Sequence, residues 1–159
     1  MGKILTTITI ILCLVLPANF ASADVSGFAR VIDGDTFWIG ETKVRLFNID
    51  APEPNQKCLD GNGLSYDCGG RAADALSSLM LNHAVRCVGD KTDDQGLLIG
   101  ICFVDNTNLN KEMVQRGWAV VYRQKKYDEH YLASEKTAKK MGNGLWAGDF
   151  VMPWDWQPK

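Results

Sequence analysis

Apolar and polar positions along the chain fall into two regimes, short alternating runs and stretches with a helical repeat. Gly27 to Ile32, Thr36 to Ile39 and Lys43 to Ile49 carry β-branched and aromatic residues. They are parted by the turn sequences Asp33-Gly34-Asp35 and Gly40-Glu41-Thr42, and so predict a three-strand meander. In the first turn Gly34 is expected to supply a positive φ, and the aspartates to hydrogen-bond the local backbone. Residues 51–70 are rich in Pro, Gly, Asn and Asp and read as a long loop. From Arg71 to Leu81, residues Ala72, Ala75, Leu76, Leu79 and Met80 recur at helical spacing. Ala84 to Gly89 and Leu97 to Val104 are two more strands around the turn Lys91 to Gly96. Asn108 to Arg116 reads as a short helix ended by Gly117, and Tyr127 to Met141 as a longer one ended by Gly142.

Three strands, a helix, two strands and two helices match a five-stranded oligonucleotide/oligosaccharide-binding (OB) barrel, a mainly β member of the α+β class that commonly binds on one face. Residues 1–23 stand apart from this pattern. Lys3 precedes an apolar stretch from Ile4 to Leu16, and Ala21-Ser22-Ala23 gives a small-x-small cleavage pattern. Residues 1–23 therefore read as a secretory signal peptide and 24–159 as one domain. The apolar stretch is shorter than the roughly 20 residues of a membrane span, and Cys13 lacks the preceding small residues of a lipid-modified cysteine. The expectation is an exported monomer, periplasmic or secreted, with no membrane attachment after cleavage.

Without Lys3, 16 basic residues face 19 acidic ones, a formal charge of 3 negative. Broad phosphate neutralisation is thereby excluded as the means of holding a polyanion, which leaves a local cationic cluster or a metal. Four cysteines remain, Cys58, Cys68, Cys87 and Cys102, and in an exported domain they allow three disulfide connectivities. A Cys58–Cys68 bridge would restrain the long loop. Cys87–Cys102 suits the second hairpin, because the midpoint between them falls in Asp94-Gln95. Zinc is disfavoured, since Cys58 and Cys68 lack CxxC spacing and neither His83 nor His130 extends a ligand pattern.

Asp33, Asp35, Asp50 and Glu53, with Arg45, bracket two of the expected strands. VIDGDT, VRLFNIDAPE, TDDQG, MVQRGWAVVY and a lysine-bearing helix ending in GLW together resemble the thermonuclease family, whose best-known member is staphylococcal nuclease, over about Phe28 to Trp146. The resemblance implies a Ca²⁺ site on Asp35 and Asp50 with the backbone carbonyl of Ala51, where the family often has threonine. Several oxygen donors suit that hard cation. It also implies Glu53 as the general base for a water attacking a phosphodiester, and Arg45 as an arginine that holds the phosphate and stabilises its growing charge. Nucleic acid is the implied substrate. Asp33 is left to shape the turn, and a salt bridge from Arg45 to the aspartates is compatible with its other role.

The family's second arginine, which follows the turn glycine in a TDxYGR pattern, is Leu97 here, and Asp94 and Gln95 replace a lysine and a tyrosine of the staphylococcal enzyme. Loss of a transition-state arginine in phosphoryl transfer can cost ~10³ to 10⁵ in rate. Arg86, Lys91 and Arg123 are cations on neighbouring elements that could fill the gap. Two functions follow: an exported Ca²⁺-dependent phosphodiesterase with a weakened phosphate clamp, or a non-catalytic OB-fold binding domain that uses the cleft for another ligand. Lys125-Lys126-Tyr127 reads as a solvated helix start, and Trp146, Trp154 and Trp156 as apolar anchors of an extended tail.

Overall fold

A computed structural model describes residues 23–93, 96–124 and 129–158. In chain order the strands are β1 (Ala23–Gly27), β2 (Ala29–Val31), β3 (Thr36–Ile39), β4 (Thr42–Leu46), β5 (Ile49–Asp50), β6 (Lys57–Leu59), β7 (Ser65–Asp67), β8 (Val85–Thr92), β9 (Leu98–Val104), β10 (Thr107–Asn108) and β11 (Val120–Val121). The helices are α1 (Cys68–Met80), α2 (Leu109–Gln115) and α3 (Leu132–Met141), with single 3₁₀ turns at Glu129–Tyr131, Gly144–Ala147 and Pro153–Asp155. The expected signal peptide lies outside the described residues, except for Ala23, which opens β1. Asp94, Gln95 and the Lys125-Lys126-Tyr127 segment lie outside them too.

The main sheet runs β1-β8-β9-β4-β3-β2, so β1 and β2, separated in the chain by Phe28 alone, form its two edges. One kinked strand thus joins both edges and brings the sheet nearly to a closed OB barrel. Counting β1 and β2 as one gives five principal strands with β3, β4, β8 and β9, as the sequence pattern predicts. The segment expected from Gly27 to Ile32 is longer at its front, since residues 23–27 pair antiparallel with residues 85–89. The run expected from Lys43 to Ile49 divides at Asn48, whose φ of 64° turns the chain out of β4 and into β5. β5 pairs with β11 instead of the main sheet.

The long loop is more ordered than its composition indicates. It holds the β6–β7 hairpin, and α1 begins at Cys68, three residues before the expected start, with Asp67 capping Gly70 N–H. Two consecutive glycines, poor helix formers, conceal that first turn. Cys58 is bridged to Cys68 and Cys87 to Cys102, the latter between directly paired residues of β8 and β9. His83 and His130 are exposed, and His83 lies 3.6 Å from Asp105.

Inward-facing residues of the barrel pack against the apolar stripe of α1, where Ala72, Leu76 and Met80 are buried, and against Leu109, Met113 and Val114 of α2. A smaller cluster gathers Cys58, Cys68, Val120 and Leu145, and Trp146 and Trp154 of the tail pack on it as expected. Asn110, fully buried, pins α2 to the barrel: its Oδ1 accepts from Cys102 N–H at 3.0 Å and its Nδ2 donates to Phe47 O and Gly100 O. Asn110→Ala should lower unfolding free energy by about 3 kcal/mol, because it strands buried polar groups at roughly 1 to 3 kcal/mol each. Urea denaturation checks this, and a loss under about 1 kcal/mol would show that the asparagine is not the pin.

Candidate active site

The site is built where β2 turns into β3, where β4 ends, and where β5 runs into the long loop. In the first turn Asp33 Oδ1 accepts from the N–H groups of Asp35 (3.0 Å) and Thr36 (2.7 Å), which fixes Asp33 as the shaper of the turn. Gly34 is needed for space and not for the sign of φ. A Cβ there would stand 2.6 Å from Ala51 Cβ and 2.7 Å from Ala72 Cβ, so the turn lies directly on the loop and on α1.

That approach buries Asp35, which is 4% exposed. Its Oδ1 accepts from the Thr36 hydroxyl at 2.7 Å and its Oδ2 from Ala51 N–H at 3.1 Å. Asp50, also 4% exposed, ends β5, and its Oδ1 accepts from Arg45 Nη2 at 2.8 Å. The same Nη2 stands 3.6 Å from Asp35 Oδ2, so one guanidinium serves both carboxylates. The ion-pair reading of Arg45 therefore holds. Burial, reinforced by neighbouring carboxylates and opposed by Arg45, pushes Asp35 up to about 7 and Asp50 to about 6, while the aspartates raise Arg45 above its ordinary value.

These residues open on a cleft of about 150 Å³ whose walls include Asp35, Lys43, Arg45, Ala51, Glu53 and Leu97. Asp50 is joined to that wall through Arg45. Asp35, Arg45, Ala51 and Glu53 thus meet at one cleft with Asp50 bonded behind Arg45, and buried Leu97 occupies the wall at the position of the family's second arginine. Among the described residues no group of three or more His, Cys, Asp or Glu side chains could hold a metal. The side-chain oxygens on the cleft are those of Asp33, Asp35, Thr36 and Glu53, with Asp50 behind Arg45.

None of the three cations considered as substitutes lines the cleft. Arg123 is bonded to Glu135, Arg86 lies over the Phe103 ring and 3.9 Å from Asp24, and Lys91 is on β8. The cation that does accompany Arg45 is Lys43. Its signal was present in the sequence, since two residues apart on a strand means the same face. Sequence reasoning also missed Gln56, fully buried, whose Oε1 accepts from Glu53 N–H at 3.2 Å and whose Nε2 donates to Val151 O at 2.7 Å. It missed Gly69 as well, where a Cβ would fall 1.9 Å from Glu53 O. With the Cys58–Cys68 bridge, these contacts fix the backbone that presents the exposed Glu53.

The sequence profile described as staphylococcal nuclease homologue matches residues 43–148. The succinoglycan biosynthesis protein ExoI of Rhizobium meliloti (strain 1021) is 38% identical over 128 residues, covering 79% of this chain and 66% of that protein. An uncharacterized endonuclease of Escherichia coli O157:H7 is 33% identical over 142 residues, 85% of this chain and 86% of its own length. A micrococcal nuclease of Shigella flexneri is 31% identical over 154 residues, 86% and 83% of the two chains.

The raised pKa values of Asp35 and Asp50 set a pH dependence. Well below the unfolded pKa of 3.8 both aspartates are protonated folded or unfolded and cost nothing. As pH rises from there toward 6 and 7 the unfolded chain ionises while the fold resists it, so stability is lost until the folded aspartates ionise in turn. In chelator, the melting temperature should fall between pH 5 and 7.5, and the Asp35→Asn, Asp50→Asn double variant should lose that slope. A melting temperature that climbs over the same range in the unsubstituted protein would refute the assignment.

Proposed function

Because the chain belongs to the staphylococcal nuclease homologue family, we propose that it is an exported, Ca²⁺-dependent phosphodiesterase acting on DNA or RNA with a weakened phosphate clamp. The observation that carries this reading is the convergence of Asp35, Arg45, Ala51 and Glu53, from separate elements, on one cleft with Asp50 behind them.

The donor set fits a hard divalent cation. Asp35 and Asp50 are buried carboxylates whose ionisation the fold penalises; together with the Ala51 carbonyl they would hold the cation, and it would relieve that penalty. When bound, Ca²⁺ supplies Lewis-acid stabilisation of the phosphate's charge. Arg45 keeps one donor on the carboxylate pair and has further guanidinium donors for a phosphate oxygen. Glu53 takes the proton of a water as its oxygen bonds to phosphorus. The bond from phosphorus to the leaving ester oxygen breaks, and that oxygen recovers a proton from solvent. Gln56 and Gly69 hold Glu53 in place for this transfer.

Two observations favour a second reading, a binding domain without catalysis: Leu97 is buried in the cleft wall, and a relative with 38% identity is named for succinoglycan biosynthesis. Purified protein on single-stranded DNA and RNA separates the two readings. Ca²⁺ should give cleavage that chelator abolishes, Glu53→Gln should reduce it by ~10² to 10⁴, and saturating Ca²⁺ should raise the melting temperature. Absence of cleavage under every cation would leave the binding domain.

The weakened clamp makes its own forecast. Leu97→Arg should increase turnover more than ~10-fold, short of the ~10³ to 10⁵ a native arginine can supply, because the pocket was not built to orient a guanidinium. Steady-state kinetics decide the matter, and a folded Leu97→Arg protein with unchanged turnover would remove the weakened clamp from the account.

A further inference from the structure

The chain is acidic overall, with a formal charge of −2, yet Arg30, Lys43, Arg45 and Lys91 lie together where the sheet faces outward beside the cleft. Strand register places Arg30 opposite Trp38 and Trp38 opposite Lys43, so these three side chains form one row across β2, β3 and β4 on one face. The neighbouring row is Thr36, Arg45, Ile99 and Lys91, paired across β3, β4, β9 and β8 on the same face. Lys43 and Arg45 also line the cleft, so the face and the cleft are continuous.

Two features set the first row apart. Among the described residues neither Arg30 nor Lys43 forms an ion pair, although acidic residues outnumber basic ones in the chain, whereas Arg45 of the neighbouring row is paired with Asp35 and Asp50. The Trp38 indole is partly exposed, with the planar Arg30 guanidinium 5.9 Å from the ring centroid, an arrangement a flat base can adopt by exchange with it. Unpaired cations on both sides of an aromatic, about two strand spacings or roughly 10 Å from end to end, have the make-up of a single-strand binding groove: charge for the backbone and a π face for a base.

We propose that the outer face of β2, β3 and β4 is a track for single-stranded nucleic acid, in which Trp38 stacks a base, Arg30 and Lys43 hold flanking phosphates, and the strand passes from Trp38 into the cleft. The direction of that passage rests on the phosphodiesterase reading, whereas the binding does not. The track also answers how an acidic chain can hold a polyanion, because the cations are few but placed together. A duplex has its bases stacked inside and offers none to Trp38, so the track selects single strands.

The test uses the Glu53→Gln protein, to prevent cleavage, and fluorescence anisotropy with labelled oligothymidylate of two and of ten residues, with Ca²⁺ and with chelator. The ten-residue strand should bind more tightly than the dinucleotide. Trp38→Ala should weaken its binding by ~5- to 100-fold, and Trp38→Phe should retain most of it. Arg30→Gln and Lys43→Gln should each reduce the slope of log affinity against log salt by about 0.7. Those two variants keep the test decisive if Trp38→Ala does not fold. Ten-residue binding by folded Trp38→Ala equal to that of the parent, unchanged salt slopes, or equal competition by heparin at matched charge, which marks an anionic-polysaccharide surface, would each overturn the track. A protein that cuts nucleic acid while Trp38→Ala binds normally loses only the track. One that binds through Trp38 yet cuts nothing loses only the catalytic reading.

Discussion

Two carboxylates almost without solvent, served by a single guanidinium, are the constraint around which this molecule is arranged. Asp35 comes from the turn between β2 and β3 and Asp50 from β5, and Arg45 on β4 reaches both with one nitrogen. Like charges this close are unfavourable in a low-dielectric setting, and surrounding contacts hold them there. Asp35 is tied through its oxygens to Thr36 and Ala51, while its backbone carbonyl accepts from Leu46 N–H. Asp50 sits opposite Val120 in the β5–β11 pair. β11 in turn is fastened by Glu135 of α3, which accepts from Val121 N–H, Arg123 and Lys139. Burial works to raise the pKa of Glu135, but these hydrogen bonds together hold it below the usual carboxylate range. A helix far along the chain thus secures one half of the charged pair.

The other reactive carboxylate obeys a different logic. Glu53 is exposed, and what is fixed is its backbone, by a buried amide from Gln56, by contact with Gly69 at the start of α1, and by a disulfide that ties β6 to that same turn. The buried pair suits a cation and the exposed acid suits a water, so the difference in burial divides the two tasks.

Much of this was legible from residue pattern. The order of the principal strands along the chain, the helical stripe of α1 and both disulfides follow from local signals, because alternation and spacing are local properties, whereas the residues that meet in the cleft were indicated by the family resemblance of VIDGDT and VRLFNIDAPE. What escaped depends on contacts distant in the chain. Gly34 was read as a conformational device, but it is dictated by the Cβ atoms of Ala51 and Ala72. Gln56 has no motif, and its role exists only because Val151 O lies 95 residues away in sequence and 2.7 Å away in space. The start of α1 was obscured by Gly69 and Gly70, whose presence reflects packing on the Glu53 loop more than helix preference.

The kinked first strand has a bearing on how the chain comes together. β1 pairs with residues 58 to 66 positions further on, whereas β2, β3 and β4 find one another within a short span. Loop closure makes the distant pairing the slower one. The barrel's first strand is therefore among the last to dock, and until it does, the outer edge of β8 carries unmatched N–H and C=O groups open to a strand from another molecule. In the finished barrel β1 is the seal on that edge, and the stretch Ala23–Gly27, which adds little to the core, guards the molecule against its own copies.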